Sequence, residues 1–416
     1  MTPLAQTASQ LVQAPIALGV LGLGRAFTLM LPTFAQDPRV RLVAAFDPRA
    51  SARQLFVQEF SGVAHESAQG VCADPNVEWV YIASPHQMHA EHVELAARYG
   101  KHVLVEKPMA LSLSDCTRMM EAAQAAGTHL IVGHSHSFNA PVLQAKRIIE
   151  RRTYGAVRMI HAMNFTDFLF RPRRPEELDT SRGGGVVFSQ AAHQIDVVRL
   201  LGGGKVASVF ARTGKWDPTR PTEGAYTALL NFESGVVANV TYNGYGFYDS
   251  DVLMGQVGEL AKPKPDGAHQ ATRQRLAAAE DEQQEALLKA ERNFGGAHYV
   301  PEPPLPPQAN QHFGPVIVSC DRADFRLTPM GVEVHDAQGV WLEHAGPPSI
   351  PRQEVIDELW AVARQSAAPV HGGAWSRATL EVCLAILESG QRNARGDRAD
   401  IVLHHQMEAP LLHEAR

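Results

Sequence analysis

The residues best suited to chemistry are Glu106 and Lys107, which end a short apolar run at 102–105 and stand just before Pro108. A run of that length and β-branched content reads as a buried strand, entered through Gly100 and stopped by the proline. Both charges then fall at the carboxyl end of a strand, the edge of an open parallel sheet where ligands bind. A lysine there becomes a general acid or base once burial lowers its pKa. The plainer alternative is two solvated charges at a strand end. Farther along, Ser189, Gln190, His193 and Asp196 follow the triplet Gly183-Gly184-Gly185. Residues 186–201 suit a packed helix, on which Ser189 and His193 share a face. A lone histidine in such a place is more often a satisfied core group. His134 and His136, at i and i+2, share one face of an extended segment. A metal centre would need further ligands that the sequence does not offer; lining a substrate cleft is the favoured reading, with ordinary hydrogen-bonded loop histidines as the alternative. Arg171, Arg173 and Arg174 lie between Phe170 and Pro175, with Pro172 among them. Planar guanidinium groups suit carboxylate recognition. A solvated loop paired to Glu176, Glu177 and Asp179 is an equal reading on composition alone.

These side chains need a framework, and the chain upstream supplies one. The apolar run 16–21 leads into Gly22-Leu23-Gly24-Arg25-Ala26-Phe27, a strand, a tight turn and a helix start. In that arrangement the N–H groups of the helix N-terminus hold a diphosphate. Gly22 and Gly24 fit the first two glycines of the dinucleotide fingerprint, and Phe27 stands where the third would be. A strand over 41–46 ends in Asp47, about twenty residues beyond Gly24, where an acid takes the adenosine ribose hydroxyls. An acid repels a 2′-phosphate and favours NAD; Arg49, two residues on, would admit NADP. Strands at 79–83, 102–105 and 130–132 alternate with helices at 87–99 and, capped by Ser114, up to 126. Such alternation over 15–137 is the signature of a doubly wound parallel sheet.

Ser84-Pro85-His86 with His89, followed by Gly100-Lys101-His102-Val103 and Glu106-Lys107-Pro108, resembles the glucose–fructose oxidoreductase / inositol dehydrogenase / MocA family. The resemblance implies a Rossmann dinucleotide-binding domain, a second substrate domain and an NAD(P)-dependent dehydrogenase. It places Lys107 beside the nicotinamide and the substrate hydroxyl. It gathers Gly22, Leu23, Gly24, Arg25, Ala26, Phe27, Asp47, Arg49, Ser84, Pro85, His86, His89 and Glu106 around the cofactor. The glycine triplet, His193 and Asp196 match the family's second catalytic motif, with Ser189 where its acid stands. Catalytic weight therefore falls on Lys107 and His193, and Asp196 is read as orienting local structure. Stretches 22–32, 171–179 and 188–193 further resemble those members that oxidise a phthalate cis-dihydrodiol. The implied substrate is a carboxylated cyclic diol held by Lys107, His134, His136, Arg171, Arg173, Arg174, Gln190 and His193. A sugar, inositol or other cyclic alcohol is the alternative substrate, and a non-catalytic cofactor-binding regulator is the alternative role.

From residue 205 the pattern turns to antiparallel strands with tight turns, within a second α/β domain spanning 138–395. The expected fold is therefore α/β plus α+β: a Rossmann domain, then a domain with a large, mostly antiparallel sheet. Such a sheet face commonly serves subunit contact, so a homodimer or homotetramer is expected. Residues 259–307 form a charged, helix-prone and then proline-rich insertion, helical over 270–293, that would cap the cleft, pack on a partner or remain a solvated elaboration. Closing helices are expected at 356–364 and 380–387, and loosely packed tails at 1–14 and 396–416. The 416 residues carry 38 Lys and Arg against 44 Asp and Glu, a net charge of −6. That balance offers no basic surface for nucleic acid or membrane. The four cysteines are too dispersed for a zinc site or a disulfide framework, and with no leader or membrane-spanning run they suggest a reducing, cytoplasmic setting.

Overall fold

The computed structural model describes residues 13–303, 305–398 and 400–412. Apolar runs alternate with amphipathic segments through the first third of the chain, and they fold accordingly. The strands are β1 (Ile16–Leu21), β2 (Val40–Phe46), β3 (Val63–Ala64), β4 (Trp79–Ile82), β5 (His102–Val105) and β6 (Leu130–Val132). The helices between them are α1 (Arg25–Gln36), α2 (Ala50–Phe60), α3 (Ala68–Ala73), α4 (His89–Arg98) and α5 (Leu113–Ala126). All strands pair in parallel, in the order β3-β2-β1-β4-β5-β6. The order reverses between β1 and β4, so the turns after β1, β4 and β5 open onto one crevice at the carboxyl edge. Ser112, not Ser114, caps α5: its Oγ accepts the Asp115 N–H at 3.1 Å. The apolar positions of this helix suit either serine, and only the backbone turn selects the earlier one.

The second domain contributes α6 (Ala140–Glu150), β7 (Val157–Phe165), α7 (Ala192–Gly202), β8 (Val206–Gly214), β9 (Ala225–Phe232) and β10 (Val237–Asn243). The insertion forms two helices, α8 (Ala268–Ala277) and α9 (Glu282–Ala290), rather than one over 270–293. Asp281 breaks the run by accepting the Gln284 N–H as the N-cap of α9. Then follow β11 (Val316–Cys320), β12 (Ala323–Thr328), β13 (Gly331–Asp336), β14 (Gly339–His344), α10 (Gln353–Gln365), α11 (Gly373–Ala394) and β15 (Ile401–Val402). The nine strands run β14-β13-β12-β11-β7-β10-β9-β8-β15, antiparallel except for the central β7–β10 pair. One face packs against α6, α7 and α11. The register places Met159, Ile317, Val237 and Leu229 on the opposite face, where all four are exposed.

The core of the N-terminal domain also takes in side chains from outside 15–137. Val355, Ile356, Leu359 and Val362 of α10, together with Phe294 of the insertion, are buried in the same core as β1, α1 and Trp79. A parallel sheet must be covered on both faces, and this chain recruits distant segments to do it. The segment from Ile401 to His405 is anchored as well. β15 pairs with β8, and Glu381 of α11 accepts the backbone N–H groups of His404 and His405.

Candidate active site

The turn after β1 has the geometry a dinucleotide requires. Gly22 has φ +96°, and a Cβ there would stand 2.7 Å from the Ala83 carbonyl oxygen, so only glycine fits. Beside Gly24, by contrast, nothing lies within 4 Å of that position, and no side chain caps α1. Free N–H groups at a helix N-terminus facing open space suit a diphosphate. Leu23 donates its N–H to Asp47 Oδ2 at 2.8 Å, so the ribose-binding acid and the glycine turn are one unit. Arg49 also pairs with Asp47, at 2.9 Å, and donates to the carbonyls of Leu23 and Phe294 at 2.7 and 3.1 Å. In the absence of cofactor the Arg49 guanidinium is thus held by three acceptors, one of them the ribose-binding acid itself. Phe27 occupies the third glycine's place because its buried ring packs edge-on against Phe294, centroids 5.3 Å apart. The residues present fit NAD.

The turn after β4 is organised by its histidines. His89 is fully buried, with its ring nitrogens each 3.0 Å from the carbonyls of Ser84 and Pro108. Burial pushes its pKa down to about 4 against the pull of both carbonyls, so the ring is neutral and donates to one of them. His89 therefore ties two active-site turns together. Ser84 is likewise engaged, its Oγ 2.9 Å from His92 Nδ1. Pro85 is exposed. His86 is partly buried, pushed to about 3 by burial with His89 and Lys107 nearby.

Glu106 is buried and accepts the Tyr81 hydroxyl at 2.6 Å. Burial raises its pKa, against the opposing pull of Tyr81, Lys107 and Arg352. Burial likewise draws Lys107 down to about 8, with Glu106 opposing and Arg352 reinforcing. Its Nζ donates to the Ser189 carbonyl oxygen at 2.7 Å. The position that carries an acid elsewhere in the resembling family thus meets Lys107 through its main chain. Residues Val187–Ala191 form a π-turn before α7, so the simple helical spacing of Ser189 and His193 does not hold. His193 is buried, with Nδ1 lacking a hydrogen-bond partner among the described residues. Its ring lies 4.8 Å from that of His136, 6.2 Å from His134 and 5.1 Å from Phe313. Burial and nearby positive charge hold all three histidines well below the usual imidazole range, so they are neutral. Among the described residues no group of three His, Cys, Asp or Glu side chains is placed to hold a metal. Asp196 accepts from Trp375 Nε1 at 2.6 Å, from Thr379 Oγ1 at 3.0 Å and from Ser137, and is wholly occupied in orienting structure.

The arginine loop divides. Arg171 donates to Asp167 at 2.8 Å and lies 3.7 Å from Glu259, whose charge also reaches Lys107. Arg173 stacks on Phe168, 3.5 Å from the ring centroid, and its charge too reaches Lys107. Arg174 pairs with Glu176 and Glu177 at 3.2 and 3.4 Å, and Glu177 also lies 3.9 Å from Arg173. Gln190 lies at the site, 3.4 Å from the Tyr242 hydroxyl. One site residue escaped sequence reasoning altogether. Arg352 is buried at the start of α10 with φ +55°, bonded through Nε to Gln311 at 3.2 Å and without a carboxylate ion pair among the described residues. Its charge bears on Glu106, Lys107, His134, His136 and His193. Arg25, at the first position of α1, is in turn within its electrostatic reach.

Residues 16–134 match the model of the Gfo/Idh/MocA oxidoreductase family, NAD-binding Rossmann fold, and residues 142–254 match the Gfo/Idh/MocA C-terminal domain. The chain belongs to the Gfo/Idh/MocA family. A family relative, 1-carboxy-3-chloro-3,4-dihydroxycyclohexa-1,5-diene dehydrogenase of Comamonas testosteroni, is 48% identical over 92% of this chain and 97% of its own length. Myo-inositol 2-dehydrogenase of Thermotoga maritima is 32% identical over 47% of this chain and 57% of its own length. A solved Bordetella bronchiseptica structure described as a dehydrogenase superposes with a TM-score of 0.86 at 38% identity, covering 94% of this chain and all of that one. As a Gfo/Idh/MocA member this protein is an NAD-dependent dehydrogenase.

Proposed function

We propose that this protein oxidises a carboxylated cis-dihydrodiol to the corresponding catechol, with cis-4,5-dihydro-4,5-dihydroxyphthalate as the specific substrate and 4,5-dihydroxyphthalate dehydrogenase as the activity. The observation that carries this reading is the 48% identical relative, whose name specifies a carboxylated dihydroxycyclohexadiene. NAD supplies hydride acceptance at the carbinol carbon. Lys107, neutral above about pH 8, takes the proton of that hydroxyl. His193 lies beside the site, and its neutral ring donates or accepts a hydrogen bond to the diol without desolvating a charge. The resulting hydroxy-dienone loses its remaining ring proton in enolising to the catechol, a step driven by aromaticity. The protein's part is then to orient the diol and move one proton. Arg171 and Arg173 hold a ring carboxylate, with Gln190, His134 and His136 completing the wall. A homodimer or homotetramer built on the exposed sheet face is part of the same proposal.

The test is NADH formation by the purified protein on carboxylated cis-dihydrodiols beside myo-inositol and aldoses. Reduction of NAD with the carboxylated diols alone supports the reading. Turnover of the neutral polyols instead would move the protein to the inositol-type activity named for its Thermotoga maritima relative, and cofactor binding without turnover on any substrate would favour a regulator.

A further inference from the structure

The insertion joins the two ends of the active site. At one end, α9 organises the arginine loop. Buried Glu285 accepts the backbone N–H of Arg173 at 2.6 Å and two 2.8 Å bonds from buried Arg220. One turn on, Lys289 pairs with Glu177 of the same loop. Upstream, Arg273 of α8 stacks on Phe170, 4.1 Å from its centroid, at the entry to the loop. At the other end, fully buried Phe294 is set into the dinucleotide domain. Its N–H donates to Thr28 Oγ1 at 2.9 Å in the first turns of α1, its ring meets Phe27 and Phe60, and its carbonyl receives Arg49 at 3.1 Å. Arg49 is in turn bound to Asp47, and Asp47 to the N–H of Leu23 in the glycine turn.

We propose that Glu285 and Phe294 are positioning residues at the two ends of a strap, through which occupation of the adenosine-ribose site by NAD sets the arginine loop for substrate. A ribose that takes hydroxyl bonds to Asp47 competes with Arg49 for the same carboxylate. Arg49 then relies on its remaining acceptors, Leu23 O and Phe294 O, and the Phe294 end of the strap responds. The segment from Phe294 back to Glu285 is short and mostly helical, so a shift at one end is carried to the other rather than absorbed. Assigning the loop to a substrate carboxylate rests on the reading above; the strap does not, and its test needs no substrate.

The experiment is hydrogen–deuterium exchange of the full-length protein, apo and saturated with NADH. In the wild type, NADH slows exchange at the glycine turn and also at residues 170–180 of the arginine loop, by about fivefold or more, the lower end of usual coupling between sites. In Phe294→Ala, saturating NADH still protects the glycine turn but no longer protects the loop, and Phe294→Leu recovers part of the loop protection. Glu285→Gln breaks the link from the other end with the same outcome, and reads the link independently should Phe294→Ala not fold. A merely structural residue would raise loop exchange equally with and without NADH. Loop protection that persists in both Phe294→Ala and Glu285→Gln, or that is missing from the wild type, overturns the proposal. The substrate panel can fail while this result stands, and the reverse also holds.

Discussion

Lys107 is expected to set the pH dependence of turnover. Its proton-accepting form is the neutral amine, and burial brings its pKa to about 8, so kcat/KM should rise with pH and level off above that value. Lys107→Met should abolish turnover while NADH still quenches protein fluorescence with unchanged affinity; loss of NADH binding would show the lysine to be a cofactor-site strut instead. The two neighbouring arginines give a sharper contrast. Arg173→Ala should raise KM for a carboxylated diol about tenfold or more, the scale of a lost charged hydrogen bond, and change little for an uncarboxylated analogue. Arg174→Ala, whose partners are Glu176 and Glu177, should leave both within about twofold, as for an exposed ion pair. Steady-state kinetics on paired substrates reads both variants. Part of this candidate site was legible in the sequence. Asp47 follows the glycine turn at the spacing of a ribose-binding acid, whereas Lys107 and His193 were marked mainly by the family resemblance. Nothing local marks Arg352, and it reaches the site only when α10 folds back onto the first sheet. Ser189 was legible as a missing acid, but its carbonyl bond to Lys107 follows from the π-turn, which side-chain spacing cannot reveal.

At the scale of elements, strands were read closely because an apolar run bounded by turns has few alternatives. Helix limits were not. α11 runs Gly373–Ala394, far beyond the 380–387 that periodicity marks, because buried polar residues interrupt its apolar face. Thr379 bonds Asp196 and Arg199, and Glu381 caps the returning chain, so each is satisfied by partners distant in sequence. The α5 cap offers a direct test. Ser112→Ala should lower unfolding free energy by about 1 kcal/mol, the usual worth of an N-cap, and Ser114→Ala should cost distinctly less. Urea denaturation of the two variants separates them, and equal losses would mean that α5 begins elsewhere.

The whole molecule should be sensitive to acid. His134, His136 and His193 are held well below 6.5 when folded, while an unfolded histidine titrates near 6.5. Between those values the unfolded chain binds more protons, so stability falls as pH drops below about 6.5 and is flat above it as far as these groups are concerned. Thermal melts from pH 7.5 to 5 should show that decline, and replacing His193 with Gln should remove only its share, because His134, His136, His86 and His89 are depressed too. The same scale holds the largest surprise of the fold. Segments separated by hundreds of residues complete one another's layers: α10 and Phe294 cover the first sheet, and Gln406 reaches back to Arg199 at 3.1 Å.

The short strand β15 has a consequence beyond anchoring the end of the chain. It lies at the margin of the nine-stranded sheet and occupies the main-chain hydrogen-bonding groups of Val209 and Ser208. An uncovered strand of that kind is a template on which another polypeptide can add itself. Proteolysis or truncation between α11 and Ile401 would therefore do more than loosen a terminus. It would leave β8 as a sticky border and turn a well-behaved enzyme into one that aggregates on storage, with the loss showing first as light scattering and only later as lost turnover.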